Sequence, residues 1–378
     1  MNIDESELIA IRRDLHAHPE LSFAEYRTTA VIVERLEALG LEPTVPAGGT
    51  GVICDIGDDG PLIALRADID ALPIDDAKNV PYRSTVPGAC HACGHDAHTA
   101  ILLGTAAVLA GIELPGRVRL IFQPAEERMP GGALNLVAAG AVKDVEAIFA
   151  LHCDPRADVG RIGLRVGPVT AACDMLDVAL SGDGGHTARP HLTADIIYAL
   201  GLLITNLPGM LSRRIDPRAS LSLVWGSVEA GNAPNAIPPV GIARGTLRML
   251  DHRVWDFAEP LVRELIEDIV RPTGAQVQVS YERGVPPVVN DAMAVEVQRA
   301  AVLAAFGPDA LEETVQSMGG EDFAWYLEHA PGSIARIGVR TPGAPASLDL
   351  HQSTFDIDES ALAVGVRFMV HTAMAALT

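Results

Sequence analysis

Val118-Arg119-Leu120-Ile121-Phe122-Gln123-Pro124-Ala125-Glu126-Glu127 is a short apolar strand that runs into two adjacent carboxylates. Similar runs recur at Gly51 to Ile56, Leu62 to Ala67 and Ala147 to Leu151, with helical patterns from Thr99 to Leu109 and near Ala133 to Ala139 between them. Continuous apolar strands separated by helices predict an α/β fold with a largely parallel sheet covered on both faces. Ligands of open α/β sheets gather at the carboxyl ends of strands, which is where Glu126 and Glu127 would sit. Adjacent carboxylates can divide the labour. One binds a metal while its uncoordinated neighbour takes a proton from water and passes it to a leaving nitrogen. A solvated Glu-Glu pair is the plain alternative in an acidic chain.

Outward from that stretch, Leu8, Ile11 and Leu15 recur at helical spacing, and a second helical run spans Thr28 to Leu39 with Gly40 as its C-cap. The texture changes near Met175. The separated strand-like runs Leu176 to Leu180, Ser220 to Trp225 and Gly241 to Met249 flank long helical patterns, the second of them Asp256 to Val270, and Val277 to Tyr281 closes the set. This is an inserted α+β module at about 173 to 287, between the catalytic segments 1 to 172 and 288 to 378.

A chain of 378 residues, 48% apolar, supports two domains with a sizeable core. Forty-nine acidic against 28 basic residues give a formal charge of -21, which repels phosphate backbones and anionic membranes and excludes both as partners. Met1 to Leu8 has no basic start and no apolar core of a signal peptide, and no apolar stretch reaches spanning length. Five cysteines, an odd number without a framework, fit reduced thiols in the cytoplasm.

Gly88-Ala-Cys-His-Ala-Cys-Gly-His-Asp-Ala-His-Thr99 packs Cys90, His91, Cys93, His95, Asp96 and His98 into nine positions. Thiolate and imidazole suit zinc and related metals, and Cys93 and His95, two apart in an extended segment, would project to one side. A redox pair, Cys90 with Cys93, or a closed zinc knuckle would use the same residues. His152 follows the strand Ala147 to Leu151, and His351 lies far along the chain. With Cys93, His95 and Glu127 they make five donors from four places, about what two metals sharing a bridging ligand need. In the insertion, Gly184-Gly185-His186 is a Gly-rich turn presenting a histidine, Asn235 lies in a Pro-rich loop and Arg248 near a strand end. A histidine can stabilise an oxyanion, and Asn and Arg can clamp a carboxylate. An ordinary turn histidine and surface cation are the plain alternatives.

These motifs in this order resemble the di-metal amidohydrolase family of hippurate hydrolase, bacterial N-acyl-amino-acid aminoacylases and plant indole-acetyl-amino-acid hydrolases, within the aminoacylase and carboxypeptidase superfamily. The resemblance runs from Arg12-Arg13-Asp14-Leu15-His16-Ala17-His18-Pro19-Glu20 through Leu65 to Pro73, His91 to His98, Gln123 to Glu127 and Gly184 to His191. It continues in Gly319-Gly320-Glu321-Asp322-Phe323 and from His351 to Phe355-Asp356-Ile357-Asp358. It implies a mixed, mostly parallel catalytic sheet flanked by helices, plus a ferredoxin-like inserted domain acting as lid and dimerisation module. It implies two divalent metal ions, zinc first with manganese, cobalt and nickel as alternatives, held by Cys93, His95, Glu127, His152 and His351, with Cys93 bridging. Glu126 is then the general base and acid. His186 donates to the oxyanion in the partner subunit's site of a homodimer, and Asn235 and Arg248 lie near the substrate carboxylate.

The activity implied is hydrolysis of N-acyl-L-amino acids to a carboxylic acid and a free amino acid. A dipeptidase or small-peptide carboxypeptidase on the same site is the nearest rival, and a non-catalytic metal-binding protein or a redox protein a more distant one. Three departures stand out. Arg66-Ala67-Asp68 replaces the superfamily's His-x-Asp, which leaves Asp68 as a support rather than a ligand. Cys90 stands where an apolar residue is common, and Asp183 where a basic one is.

Overall fold

The computed structural model describes residues 3 to 344 and 349 to 378; Met1 and Asn2, on which part of the N-terminal reading fell, lie outside the described residues. The chain divides into two compact units. One comprises Met1–Val169, Val289–Val315 and Asp322–Thr378, and the other Thr170–Val288 with Gln316–Glu321. The second unit thus takes in Gln316–Glu321, which the sequence reading placed in the catalytic segment.

The first unit is built on a seven-stranded sheet, in spatial order Val52–Ile56, Arg117–Gln123, Leu62–Asp68, Ala147–Asp158, Gly332–Arg340, Ile162–Leu164, Leu311–Glu313. Its centre is parallel, and antiparallel pairs occur where Val52–Ile56 meets Arg117–Gln123 and where Gly332–Arg340 meets Ile162–Leu164. Leu62–Asp68 is buried along its whole length, with the helices His95–Ala110 and Ser360–Ala376 packed against it; that burial is why it reads as an unbroken apolar run up to Arg66. Leu65, Phe122, Phe149, Leu151 and Ala335 join Leu8, Ile11 and Leu15 of the helix Glu5–Ala17 in one core. Asp4 caps that helix by accepting from the Glu7 amide, and Arg12 and His16 are buried on the same face.

Two local expectations change. The chain is not extended through His95, because Gly94 takes φ +91, a conformation that favours glycine; a Cβ there would lie 2.8 Å from Cys153 Sγ. The helix therefore starts at His95 and runs to Ala110 instead of starting at Thr99. The strand expected to stop at Leu151 continues to Asp158, so His152 lies within it.

The second unit is a four-stranded antiparallel sheet in spatial order Gln276–Val285, Ala172–Ser181, Val240–Met249, Ser222–Ala230. The helix Ile196–Arg214 joins the first two strands in the chain and His252–Val270 the last two. That β-α-β-β-α-β order is the ferredoxin-like arrangement. Ile196–Arg214 is long and apolar enough to cross a membrane, contrary to the sequence reading. Its Ala199, Leu200, Leu203, Leu207 and Leu211 are buried, and Leu200 and Ile196 lie against Gly241 of the sheet, as in a core helix.

Candidate metal centre

Donor atoms of Cys93, His95 and His152 lie within 4.8 Å of one another, as do those of Cys93, Glu127 and His351, and those of His95, Glu126 and Glu127. All five residues that the resemblance names as ligands, with Glu126, therefore form one cluster in the first unit. Two sheet segments, one turn with the helix start it leads into, and one distant loop supply them: the residues just beyond Arg117–Gln123, the middle of Ala147–Asp158, the turn at Cys93 running into the helix His95–Ala110, and the segment at His351.

Each side chain is aimed by a bond on its far side. His152 Nδ1 lies 2.8 Å from the Cys153 carbonyl, so its hydrogen is used there and Nε2 faces Cys93 Sγ at 3.5 Å. His95 Nδ1 lies 3.0 Å from the Asp70 carbonyl and 3.3 Å from Asp70 Oδ1, leaving Nε2 at 3.8 Å from Glu127 Oε1. His351 takes φ 64, unusual for a side-chain-bearing residue, and its amide donates to the Ala92 carbonyl at 2.8 Å. Its Nε2 then lies 3.4 Å from Glu127 Oε1. Asp70 also accepts from the Glu126 and Glu127 amides, each at 3.0 Å, so one carboxylate orients a histidine and the acidic pair together.

The electrostatics suit a cation. Burial lowers the basicity of His95, but Asp68, Asp70 and Glu127 overcome it and raise the imidazole to about 10. Burial, then Glu127, Glu126 and Asp68, push the Cys93 thiol well above its ordinary range. Burial, followed by the Arg336 charge, keeps His152 neutral. The negative potential that retains protons on Cys93 and His95 is the one that would hold a divalent ion in their place. Among the described residues His95 Nε2 and Glu127 Oε1 are buried without a hydrogen-bond partner, which fits atoms that would ligate a metal. The residues present fit a pair of divalent metals.

Around the cluster, Asp68 lies 2.5 Å from His98 Nδ1 and 2.6 Å from Arg66 Nη1, and 3.7 Å from His95 Nε2. The Cys153 amide donates to His98 Nε2 at 2.9 Å, so His98 carries its hydrogen on Nδ1 and gives it to Asp68. Arg66, where the superfamily has histidine, is a buried cation bonded to Asp68, Gln123 and Asp322. The two residues of the candidate redox pair part company: Cys90 Sγ meets Lys78 Nζ at 3.6 Å, Cys93 meets His152, and both are free thiols. Asp70 and Glu25 carry bonds that the sequence did not reveal. Asp70 stands two residues after Asp68, a spacing that could have suggested it, whereas nothing in the sequence points to Glu25.

The remaining candidates lie in the second unit. His186 is exposed and pairs with Ala236, beside Asn235, whose carbonyl accepts from the Thr187 amide. The Ala188 amide donates to His186 Nδ1 at 3.0 Å, so a neutral ring carries its hydrogen on Nε2. Arg248 is half-buried and donates to the Met318 carbonyl at 2.5 Å.

A mixed α/β unit with two carboxylates at a strand end, facing a thiol and three imidazoles, defines a metal-dependent hydrolase. Residues 64–375 match the model of peptidase family M20/M25/M40, and the chain belongs to that family, among metal-dependent hydrolases of amide bonds. It is 51% identical, over 97% of its length, to "Putative glutamate--cysteine ligase 2-3" of Rhodococcus jostii (strain RHA1), and spans 46% of that longer relative. It is 39% identical to N-acetyl-L-cysteine deacetylase of Bacillus subtilis (strain 168), covering 98% of this chain and 88% of the relative. Among solved structures it is similar to the Bacillus subtilis YXEP protein, a dinuclear metal binding peptidase from the M20 family. The TM-score is 0.86 and the identity 36%, over 99% of this chain and 98% of that one.

Proposed function

We propose that this chain hydrolyses N-acyl-L-amino acids to a carboxylic acid and a free amino acid, using two divalent metals held by Cys93, His95, Glu127, His152 and His351. The observation that carries the reading is the convergence of those five side chains on one site with Glu126 beside them. Bound divalent ions supply Lewis acidity, polarising the acyl carbonyl and making water acidic enough to ionise near neutral pH. Glu126 takes the proton from the attacking water and returns it to the departing nitrogen. His186, with its hydrogen on Nε2, donates to the oxyanion, and Asn235 and Arg248 bind the substrate carboxylate.

Zinc is the first metal to test, since thiolate and imidazole are its preferred donors, with manganese, cobalt and nickel next. N-acetylcysteine is the first substrate, because a relative covered almost end to end is named for its deacetylation. The assay uses chelator-stripped protein reloaded with each metal against N-acetyl, N-benzoyl and indole-acetyl amino acids and dipeptides. Metal-restored release of a free amino acid from acyl donors supports the reading. Cleavage of dipeptides alone supports the peptidase reading, and no hydrolysis at all sinks both. Free buried thiols support a cytoplasmic setting. The sheet edge Ser222–Ala230, with exposed Val224 and Val228, supports a homodimer through the inserted domain, tested by light scattering.

A further inference from the structure

Phe23, with φ 65, and Ala125, with φ 55, are side-chain-bearing residues in the left-handed region. Both donate their N–H to one oxygen, Glu25 Oε1, at 3.0 and 2.8 Å. Such a conformation is strained and persists only where the surroundings hold it. Glu25 occupies the N-cap of the helix Tyr26–Ala38 yet makes no capping bond; its side chain reaches Ala125, a hundred positions along the chain. It is fully buried, and among the described residues its Oε2 has no hydrogen-bond partner. The amides of that helix end are accepted instead by Glu20, from Arg27 at 3.0 Å and Thr28 at 2.7 Å. Burying the Glu25 carboxyl is a cost, and what it secures is the peptide just before Glu126.

We propose that Glu25 is a positioning residue for the acidic pair: by accepting the Ala125 N–H it holds the left-handed turn that presents Glu126 and Glu127. This rests on the function proposed above. The amides of Ala125, Glu126 and Glu127 are taken in succession by two buried carboxylates, Glu25 for the first and Asp70 for the others. The Ala125 carbonyl is fixed as well, by the Gly132 amide at 3.0 Å. Four backbone groups that set the direction of the two acids, the three amides and the Ala125 carbonyl, are therefore tied, and Glu25 ties the residue under strain.

The test compares Glu25→Gln, which keeps an acceptor oxygen, with Glu25→Ala, which does not. Glu25→Gln is expected to keep kcat near the parent value. Glu25→Ala should lose on the order of 100-fold in kcat with KM little changed, the scale expected when a reacting group is misplaced by about an ångström. Glycine takes positive φ without support, so adding Ala125→Gly to Glu25→Ala should restore kcat. Equal kcat in Glu25→Ala and the parent, or equal losses in both single variants, overturns the proposal. If Glu25→Ala is too unstable to assay, the double variant is compared with Ala125→Gly alone, and a double variant well below it overturns the proposal. Crystal structures of the metal-free parent and Glu25→Ala give a readout independent of activity. Ala125 should leave positive φ in the variant, and an unchanged turn there sinks the positioning role even if no substrate is ever hydrolysed.

Discussion

Asp70 holds His95 through both its carbonyl and its carboxylate, at 3.0 and 3.3 Å from Nδ1. A ligating histidine whose outer nitrogen is tied to a carboxylate is fixed in orientation and made a better donor. Replacing Asp70 by Asn keeps a side-chain oxygen but removes the charge, and metal affinity should fall by about 10- to 100-fold. Competition with a chromogenic chelator measures it; an affinity equal to the parent's would show that Asp70 serves only the backbone of Glu126 and Glu127.

Glu126 and Glu127 are neighbours with different predicted fates. Glu126→Gln should bind its metals normally and lose about 100- to 10,000-fold in kcat, the usual contribution of a general base. Glu127→Gln should lose metal first. Metal content per subunit, read beside turnover, separates the two, and normal turnover in Glu126→Gln ends its role as base.

The place of these carboxylates was legible because both stand just beyond the end of a strand that declares itself by its apolar run. The candidate donors were legible as residue types, but not their aim. Cys93 and His95 do converge, but not because the segment is extended; the left-handed Gly94 and the helix starting at His95 set their directions. The bonds behind them were hidden because they join residues far apart in sequence, as in Glu25 to Ala125 and Arg66 to Asp322. Arg66 read as an oddity in the motif, whereas the fold shows a buried cation among carboxylates. That Gln316–Glu321 group with the second compact unit was not legible, because nothing in their composition separates them from their neighbours.

Proton release on metal loading follows from the site's acidity. In the metal-free protein Cys93 is held as a thiol and His95, at about 10, as an imidazolium at neutral pH, and both must deprotonate to ligate. Titrating zinc into stripped protein in buffers of different ionisation enthalpy should therefore show about two protons released per subunit. Cys93→Ser should remove one. Proton release unaffected by that change would take Cys93 out of the ligand set.

Glu25 makes stability depend on pH. Burial, and then the Asp70 charge, raise its carboxyl to about 7 from an ordinary 4.5, while the amides it accepts pull it down. A raised folded value means that the fold prefers the protonated form. The contribution is complete below 4.5 and is lost as pH rises through about 7. The shift corresponds to at most about 3 kcal/mol. Chelated parent protein should therefore lose stability relative to Glu25→Gln over that window, by a few degrees in Tm. A constant gap between the two melting curves across it would contradict the raised carboxyl.

The proposed oxyanion role of His186 can be tested apart from metal binding, because His186 belongs to the second unit whereas Cys93, His95, Glu127, His152 and His351 belong to the first. Its Nδ1 is occupied by the Ala188 amide, so only Nε2–H is available to a developing negative charge. A donor that acts mainly in the transition state contributes to kcat rather than to substrate binding. His186→Ala should cost about 100- to 1,000-fold in kcat, the scale for one oxyanion donor, with metal content and KM nearly unchanged. His186→Gln, whose side-chain amide can offer an N–H, should recover part of the loss. A variant that loses metal, or that raises KM at constant kcat, would instead make His186 a structural or ground-state contact and leave the oxyanion to the metals alone.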